Sequence, residues 1–460
     1  MNYFIFILLV VGIFTGKSLF GQNDTILNYY IHLGLKHNRE LRDRKLDYRL
    51  ALEEHRAARG KYLPQVGLNA RYSVARGGRT IDLPIRDLFA GYNQYNNFVH
   101  QNIGLQLGLP EQIQNEEIYF MRRTEHDTKV SLLQAVYDAR VIKNIKLQEK
   151  IARVNETGIK HTETGLISDI RKGWYNYLKA VETNNLLIET EQLLLENLRV
   201  NKKLHENSKV TMDKVYRSES ELSKLQQHQA ESEKAVNTAR AWFNFLIGRG
   251  LTEKILEPDS INVNLQFPSV ESVMATTLEN NPGIKMKEMM VKVAKENIKL
   301  SNAYYYPYLY GAVDYGFQGV DYRFTSEDDY VLASLVLKWD LFTGMQNDVK
   351  KQKSLVERQK AENKYDESVE MIKLAVIDAW YGLKAGQEAL KAAGAREKAS
   401  ARAFKVVEKA YEQGSANYLE FMDARNSLTG ASQNLIVKKY DFLIKFAELQ
   451  EIMGISDFSK

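Results

Sequence analysis

Histidines, cysteines, activated serines and paired carboxylates carry most enzyme chemistry, and here none of them falls at a catalytic spacing. Eight histidines form no HExxH pair and no ligand-spaced cluster. There are no cysteines, which removes thiolate metal sites, thiol nucleophiles, disulfide scaffolds and lipid anchors on cysteine. No serine stands in a GxSxG elbow, and Gly77 and Gly78 form an isolated pair rather than a phosphate loop. The carboxylates scatter over helical faces, where water solvates them. The sequence therefore predicts no enzyme, no cofactor and no metal site.

The elements that must position the remaining residues follow from what is scarce. Only seven of 460 residues are proline, and residues 111–257 and 308–460 contain none. At a usage of about 5% each run should hold roughly seven, so these are long helices with few loops. Charged residues make up 26% and mean hydropathy is −0.40, which excludes a bundle of membrane helices. The balance of 63 basic and 58 acidic residues gives +5 without a basic block, so no nucleic-acid partner is predicted. Near the N-terminus, residues 3–14 form an apolar run, followed by Lys17 and a small Gly21. This reads as a secretory signal over residues 1–21. The alternative is an N-terminal anchor, for which the run is short.

The chain is a duplication. At an offset of 243, Asn38 meets Asn281, Leu41 meets Ile284, Tyr62 meets Tyr305 and Pro64 meets Pro307. Further on the offset is 206: Trp174 meets Trp380, Leu222 meets Leu428 and Gly248 meets Gly454. The expected plan is a first repeat over 22–249, a linker over 250–268 and a second repeat over 269–460. Each repeat runs helix, strand pair, long helix, turn, helix. The offset falls by 243 − 206 = 37, so the first repeat carries about 37 extra residues. Part is expected in a loop over 76–97, and the rest near 156–165.

Four segments alternate with period two. Val66, Leu68 and Tyr72 lie on one face of residues 65–75, and Leu105 and Leu107 on one face of 99–109. In the second repeat Leu309, Val313 and Phe317 share a face, then Leu335, Leu337 and Trp339. About ten residues of dyad pattern with aromatic ends fits an outer-membrane barrel strand; a half-buried soluble sheet shows the same alternation. Four strands do not close a barrel, and lipid does not tolerate an open edge, so a spanning sheet requires several chains. Over residues 346–411, Val369, Ile372, Val376, Ala379, Leu383, Gly386, Leu390 and Ala393 step by threes and fours, a heptad seam. Helices are also expected over 24–61, 269–302, 211–246 and 417–453.

This ordered set, with the AYEQGSANYLEFMDAR turn over 410–425, resembles the outer membrane efflux protein family of TolC-like trimeric channels. The resemblance implies a mainly α fold with a small β part. Long coiled-coil helices would form a periplasmic α-barrel, and four strands per chain would join a shared trimeric transmembrane β-barrel. It implies a homotrimer in the outer membrane lipid of a Gram-negative bacterium, with a large periplasmic part. Its partners would be a periplasmic adaptor protein and an inner-membrane transporter. The expected function is a passive exit duct for small molecules. The alternatives are a type I protein-secretion duct and, from another class, a soluble exported coiled-coil scaffold. In the family, acidic, tyrosine and arginine residues narrow the periplasmic entrance. The matching positions are Tyr411, Glu412 and Gly414, then Glu420 and Asp423, three apart on one helical face. The family's arginine falls on Ala416. In the first repeat the acidic position is Lys214, beside Asp213, so a contact between Lys214 and Glu420 is expected.

Overall fold

The computed structural model describes residues 23–103, 115–259, 261, 263 and 265–455. The leader read over 1–21 lies outside them, as do Leu105 and Leu107. Sixteen elements follow in the described residues. The first half holds α1 (Asn23–His37), α2 (Arg39–Gly60), β1 (Gln65–Val74), β2 (Thr80–Leu83), α3 (Ile85–Leu88), α4 (Ala90–Ile103), β3 (Glu116–Tyr119), β4 (Thr124–Tyr137), α5 (Ala139–Glu206) and α6 (Met212–Leu246). The second holds α7 (Val270–Asn280), α8 (Pro282–Ala303), β5 (Tyr308–Gly319), β6 (Asp329–Lys338), α9 (Gln346–Glu412) and α10 (Tyr418–Ile452). The fold is mainly α with a small β part. With β2, α3, α4 and β3 set aside, the order of elements is the same in both halves.

The chain divides into two compact units, each drawn from both halves. The helical unit comprises described residues within 1–55, 147–296 and 353–460; the strand unit comprises those within 56–146 and 297–352.

In the helical unit the sequence landmarks do the same work twice. Each helix expected to lead into a strand pair is broken in two, at Asn38 and at Asn281. The Asn38 side chain accepts from the backbone N–H of Leu41 at 3.0 Å and donates to the carbonyl of Leu246 at 3.0 Å. Asn281 accepts from Ile284 at 3.1 Å and donates to Ile452 at 2.8 Å. Each asparagine thus caps a new helix and satisfies the last carbonyl of another. Those other helices, α6 and α10, both end in a left-handed glycine, Gly248 and Gly454, each at φ +70. A Cβ at Gly248 would lie 3.0 Å from the His37 carbonyl oxygen, and one at Gly454 would lie 2.9 Å from that of Asn280. Only glycine admits both that φ and that approach.

Apolar burial fills the rest. One cluster gathers Trp174, Tyr30, Ile31, Ile170, Phe243 and Ile247 from α1, α5 and the end of α6, together with Tyr440 and Leu443 from α10. A second joins Val376 and Leu383 of the α9 seam to Phe442 and Leu449 of α10, with Val273 of α7. Val376 and Leu383 are wholly buried, as the heptad spacing requires.

In the strand unit, β1, β4, β5 and β6 form one antiparallel sheet in that order. Register puts Val66 opposite Leu132, Leu132 opposite Val313, and Val313 opposite Ala333. One face is therefore apolar right across the sheet, with Val66, Leu68, Tyr72, Val313, Leu335 and Leu337 all exposed and Leu309 and Phe317 half-buried. The other face is polar and internally bonded: Lys129 Nζ sits 2.8 Å from Asp314, and the Tyr330 hydroxyl donates to Asp127 at 3.0 Å. The outer sides of β1 and β6 have no strand partner among the described residues.

Three expectations are corrected. The partner of β1 is β4, not residues 99–109: Val99 sits buried in helix α4, and the described part of that segment is helical. The aromatic and apolar residues Tyr92, Tyr95 and Val99 recur at helical spacing, whereas β4 alternates Thr128, Val130 and Leu132 against Asp127, Lys129 and Ser131. Trp339 stands one residue past β6; the ladder ends at the Tyr308–Lys338 pair, and the Trp339 indole donates to the Tyr305 carbonyl at 3.1 Å. Finally, nothing is inserted near 156–165, which lies inside the uninterrupted helix α5. The helices α5 and α9 are 68 and 67 residues long, so the excess lies almost wholly between β1 and β4. No described helix is long and apolar enough to cross a membrane.

Candidate functional site at the two helix turns

Both long helices of the helical unit reverse through the same backbone path. After α5, the N–H of Ser208 bonds the carbonyl of His205 at 2.8 Å and that of Lys209 bonds Leu204 at 2.8 Å. After α9, Gly414 bonds Tyr411 at 3.0 Å and Ser415 bonds Ala410 at 2.8 Å. This is the Schellman pattern, which needs a left-handed residue. Gly414 has φ +75 and Ser208, its counterpart 206 residues earlier, has φ +61. Serine carries the steric cost of that conformation and glycine does not.

The next helix starts differently on the two sides. Asn417 caps α10: its side chain accepts from the Glu420 N–H at 3.0 Å, while the Glu420 carboxylate accepts from the Asn417 N–H at 3.0 Å. This reciprocal capping box occupies the carboxylate that the sequence placed at the entrance. At α6 the equivalent position is Lys214, an ammonium that can donate but not accept. Thr211 makes no side-chain cap bond and instead donates to Asp213. That bond is the first cause holding the Asp213 carboxyl below the usual carboxylate range, with Lys214 and Arg217 adding to it. The expected contact between Lys214 and Glu420 is thus replaced. Lys214 Nζ lies 3.3 Å from Asp213 and 5.9 Å from the centre of the Tyr418 ring, and Glu420 turns to its own helix.

The two turns meet through a buried polar cluster. Asn201 of α5 and Ser218 of α6 are fully buried, and Asn197 is nearly so. The Asn201 amide donates to Ser218 Oγ at 2.8 Å and to Asn197 Oδ1 at 3.1 Å. From the second half, the Tyr411 hydroxyl donates to Asn201 Oδ1 at 2.8 Å, and the Tyr418 hydroxyl lies 3.2 Å from Ser218 Oγ. Burial pushes both tyrosine hydroxyls up from their ordinary range, against the hydrogen bonds they share with Asn201 and Ser218. Around them pack Phe404, Phe421 and Met422, with the rings of Tyr411 and Phe421 stacked at 4.8 Å. Further along α10, buried Arg425 donates to Glu221 of α6 at 3.2 Å and to Asn426 at 2.7 Å.

Of the expected entrance residues, the structure brings Tyr411 into this cluster and sets Lys214 at its edge. Glu412, Gly414, Glu420, Asp423 and Asp213 are exposed. Glu420 and Asp423 do share one face of α10. Sequence reasoning missed Asn197, Asn201, Ser218, Tyr418 and Arg425. The signal was there: Leu187, Thr190, Leu194, Asn197 and Asn201 step by threes and fours and are all buried. A heptad seam that turns from leucine to asparagine marks a place where polar partners must arrive from a neighbouring helix.

Among the described residues the cluster holds no nucleophile–base pair, and no group of histidines and carboxylates could hold a metal ion. What the cluster can do is fasten two helical hairpins together at their tips. No curated protein matches the chain in sequence. Among solved structures, a membrane protein from Pseudomonas aeruginosa superposes with TM-score 0.75 at 16% identity, over 96% of this chain and 93% of that one. The CmeC outer membrane channel of Campylobacter jejuni gives 0.76 at 14% identity, over 93% and 85%. The open state of the Neisseria gonorrhoeae MtrE outer membrane channel gives 0.72 at 17% identity, over 93% and 89%. These likenesses show that the fold is that of TolC-like channels. The family model for the outer membrane efflux protein matches residues 273–455, within the second half of the chain.

Proposed function

We propose that this protein is the outer-membrane duct of a tripartite efflux system. It would let small molecules out passively, while an inner-membrane transporter supplies the energy and a periplasmic adaptor protein joins the two. The observation that carries the reading is the four-stranded sheet. Its apolar face is exposed, with Val66, Leu68, Leu335 and Leu337 between 65% and 73% accessible, and the outer sides of its two edge strands lack partners among the described residues. In water such a surface and such edges invite aggregation. In a bilayer the apolar face is solvated by lipid, and the edges are satisfied if copies of the chain pair edge to edge. Three copies would give a barrel of 3 × 4 = 12 strands, with the polar face of Lys129, Asp314 and Asp127 lining the lumen.

On this reading the leader over 1–21 directs export, and the helical unit stands in the periplasm. The turns after α5 and α9 form the entrance, and the exposed Glu420 and Asp423 present negative charge there from each copy, a ring that attracts cations. The cluster around Asn201 holds the entrance closed. The test is purification from outer membranes followed by reconstitution. The expected results are a heat-modifiable trimer and cation-selective conductance in planar bilayers. A processed protein that stays monomeric and soluble without detergent would sink the proposal.

A further inference from the structure

The helical unit contains a cavity that the duct function does not use: an open groove of about 1050 Å³ between α5, α6 and α10. Its floor is the α5–α6 seam, where Leu187, Leu194 and Leu225 are buried. Along one wall α6 presents a second stripe at helical spacing, running from Glu221 and Lys224 through Ala235 to the exposed indole of Trp242. Arg425 of α10 also lines the groove.

Arg425 is the unusual member. It is 5% exposed, yet its Nε has no hydrogen-bond partner among the described residues, and its acidic neighbour, Glu221, is bonded through the other end of the guanidinium. A buried guanidinium with a free N–H is costly unless a further acceptor completes its fork. Charge points the same way. The lining carries Lys179, Lys224, Lys234 and Arg425 against Glu221 and Glu231, and Lys179 pairs with Asp441 at 3.3 Å, which leaves an excess of one positive charge, His228 not counted. Lys224 and Lys234 have no ion-pair partner among the described residues.

We infer that this groove is a binding site for an amphipathic organic anion. The Arg425 guanidinium, with Lys224, would take a carboxylate or sulfonate, and the leucine floor and Trp242 would cover an aromatic or alkyl body. A charged acceptor suits the guanidinium better than water does, because charge-assisted hydrogen bonds are about twice as strong as neutral ones. An apolar floor with a few converging polar groups is the general build of a small-molecule site. The inference goes beyond the duct reading and does not need it, since every residue used lies in the helical unit of a single chain.

The test is equilibrium dialysis of the full-length protein, in a neutral detergent with micelle uptake subtracted. It uses 2-naphthalenesulfonate and 2-naphthylmethylammonium, probes that share a ring and differ in the sign of charge. The expected result is preference for the sulfonate by about tenfold or more, the size of one charge-assisted hydrogen bond. Arg425→Gln should abolish that preference. Because Arg425 is buried and the variant could misfold, Ala235→Trp is the second arm; it fills the groove from its α6 wall and should remove binding of both probes. Equal affinity for the two ions, sulfonate binding unchanged by Ala235→Trp, or no binding at all would overturn the inference.

Discussion

At a separation of 206 residues, the turns after α5 and α9 trace one backbone path and fasten it in different ways. The second turn is self-sufficient. Glycine occupies its left-handed position, and Asn417 and Glu420 close a capping box within the turn. The first has a strained serine at φ +61 and no side-chain cap, but its helices supply Asn197, Asn201 and Ser218 to the buried cluster. The second-half counterparts of those three are Ala403, Val407 and Ala424. The two halves therefore play complementary roles, one contributing buried amides and the other the tyrosine hydroxyls that reach them. Two halves with the same order of elements can share a backbone path while their side chains become complementary.

The largest effect should come from the centre of that division. Asn201→Leu removes the acceptor of Tyr411 and the donor to both Ser218 and Asn197, leaving several polar groups buried without partners. The expected cost is on the order of 3 kcal/mol, seen as a lower urea midpoint with unchanged m-value. In bilayers the open state should become more frequent. A variant as stable and as closed as the parent would mean that the cluster does not fasten the turns. Removing one of the second half's two hydroxyls, with Tyr411→Phe, should cost about 1 kcal/mol.

Capping sharpens the contrast further. Asn417→Ala breaks the side-chain half of the box at α10 and should cost about 1 kcal/mol locally. That loss is read as faster amide exchange at Glu420. Thr211→Ala at α6 should change stability by only a few tenths of a kcal/mol, since Thr211 makes no cap bond there. Equal losses at the two sites would erase the distinction between the turns. Conversely, Lys214→Glu gives the first turn the T-x-x-E spacing it lacks and should stabilise it by roughly 0.5 kcal/mol.

Much of this architecture is legible in the sequence, and what escapes does so for identifiable reasons. The matched asparagines at 38 and 281, the glycines at 248 and 454 and the α9 seam follow from spacing, because each meets a local backbone requirement. The second strand escapes because residues 99–109 alternate as a strand does. Alternation is a local signal; pairing is not. Carried back from Trp174 to β6, the offset of 206 points to residues 123–132, within one residue of where β4 begins. The buried cluster at the turns escapes because its partners come from helices about 200 residues apart: Tyr411 reaches Asn201 across 210 residues and Tyr418 reaches Ser218 across 200. Spacing along one helix shows that a seam has become polar, not what completes it.

The smallest expected effect separates the turns by their response to acid. Asp213 belongs to the first turn only; its second-half counterpart is Leu419. The Thr211 hydroxyl, then Lys214 and Arg217, hold the Asp213 carboxyl below its ordinary value of 3.8. A carboxyl whose folded pKa is depressed binds its proton more readily in the unfolded chain. Its contribution is therefore fully present above about pH 4 and is lost as pH falls through the lower folded value. The side chain is exposed, so the contribution is small and shrinks further with salt. Asp213→Asn should make amide exchange at the start of α6 insensitive to acid over that window, while exchange at the start of α10 stays as in the parent. An equal change at both starts would show that the two turns open as one unit, and the division of labour between the halves would then stop at the buried cluster.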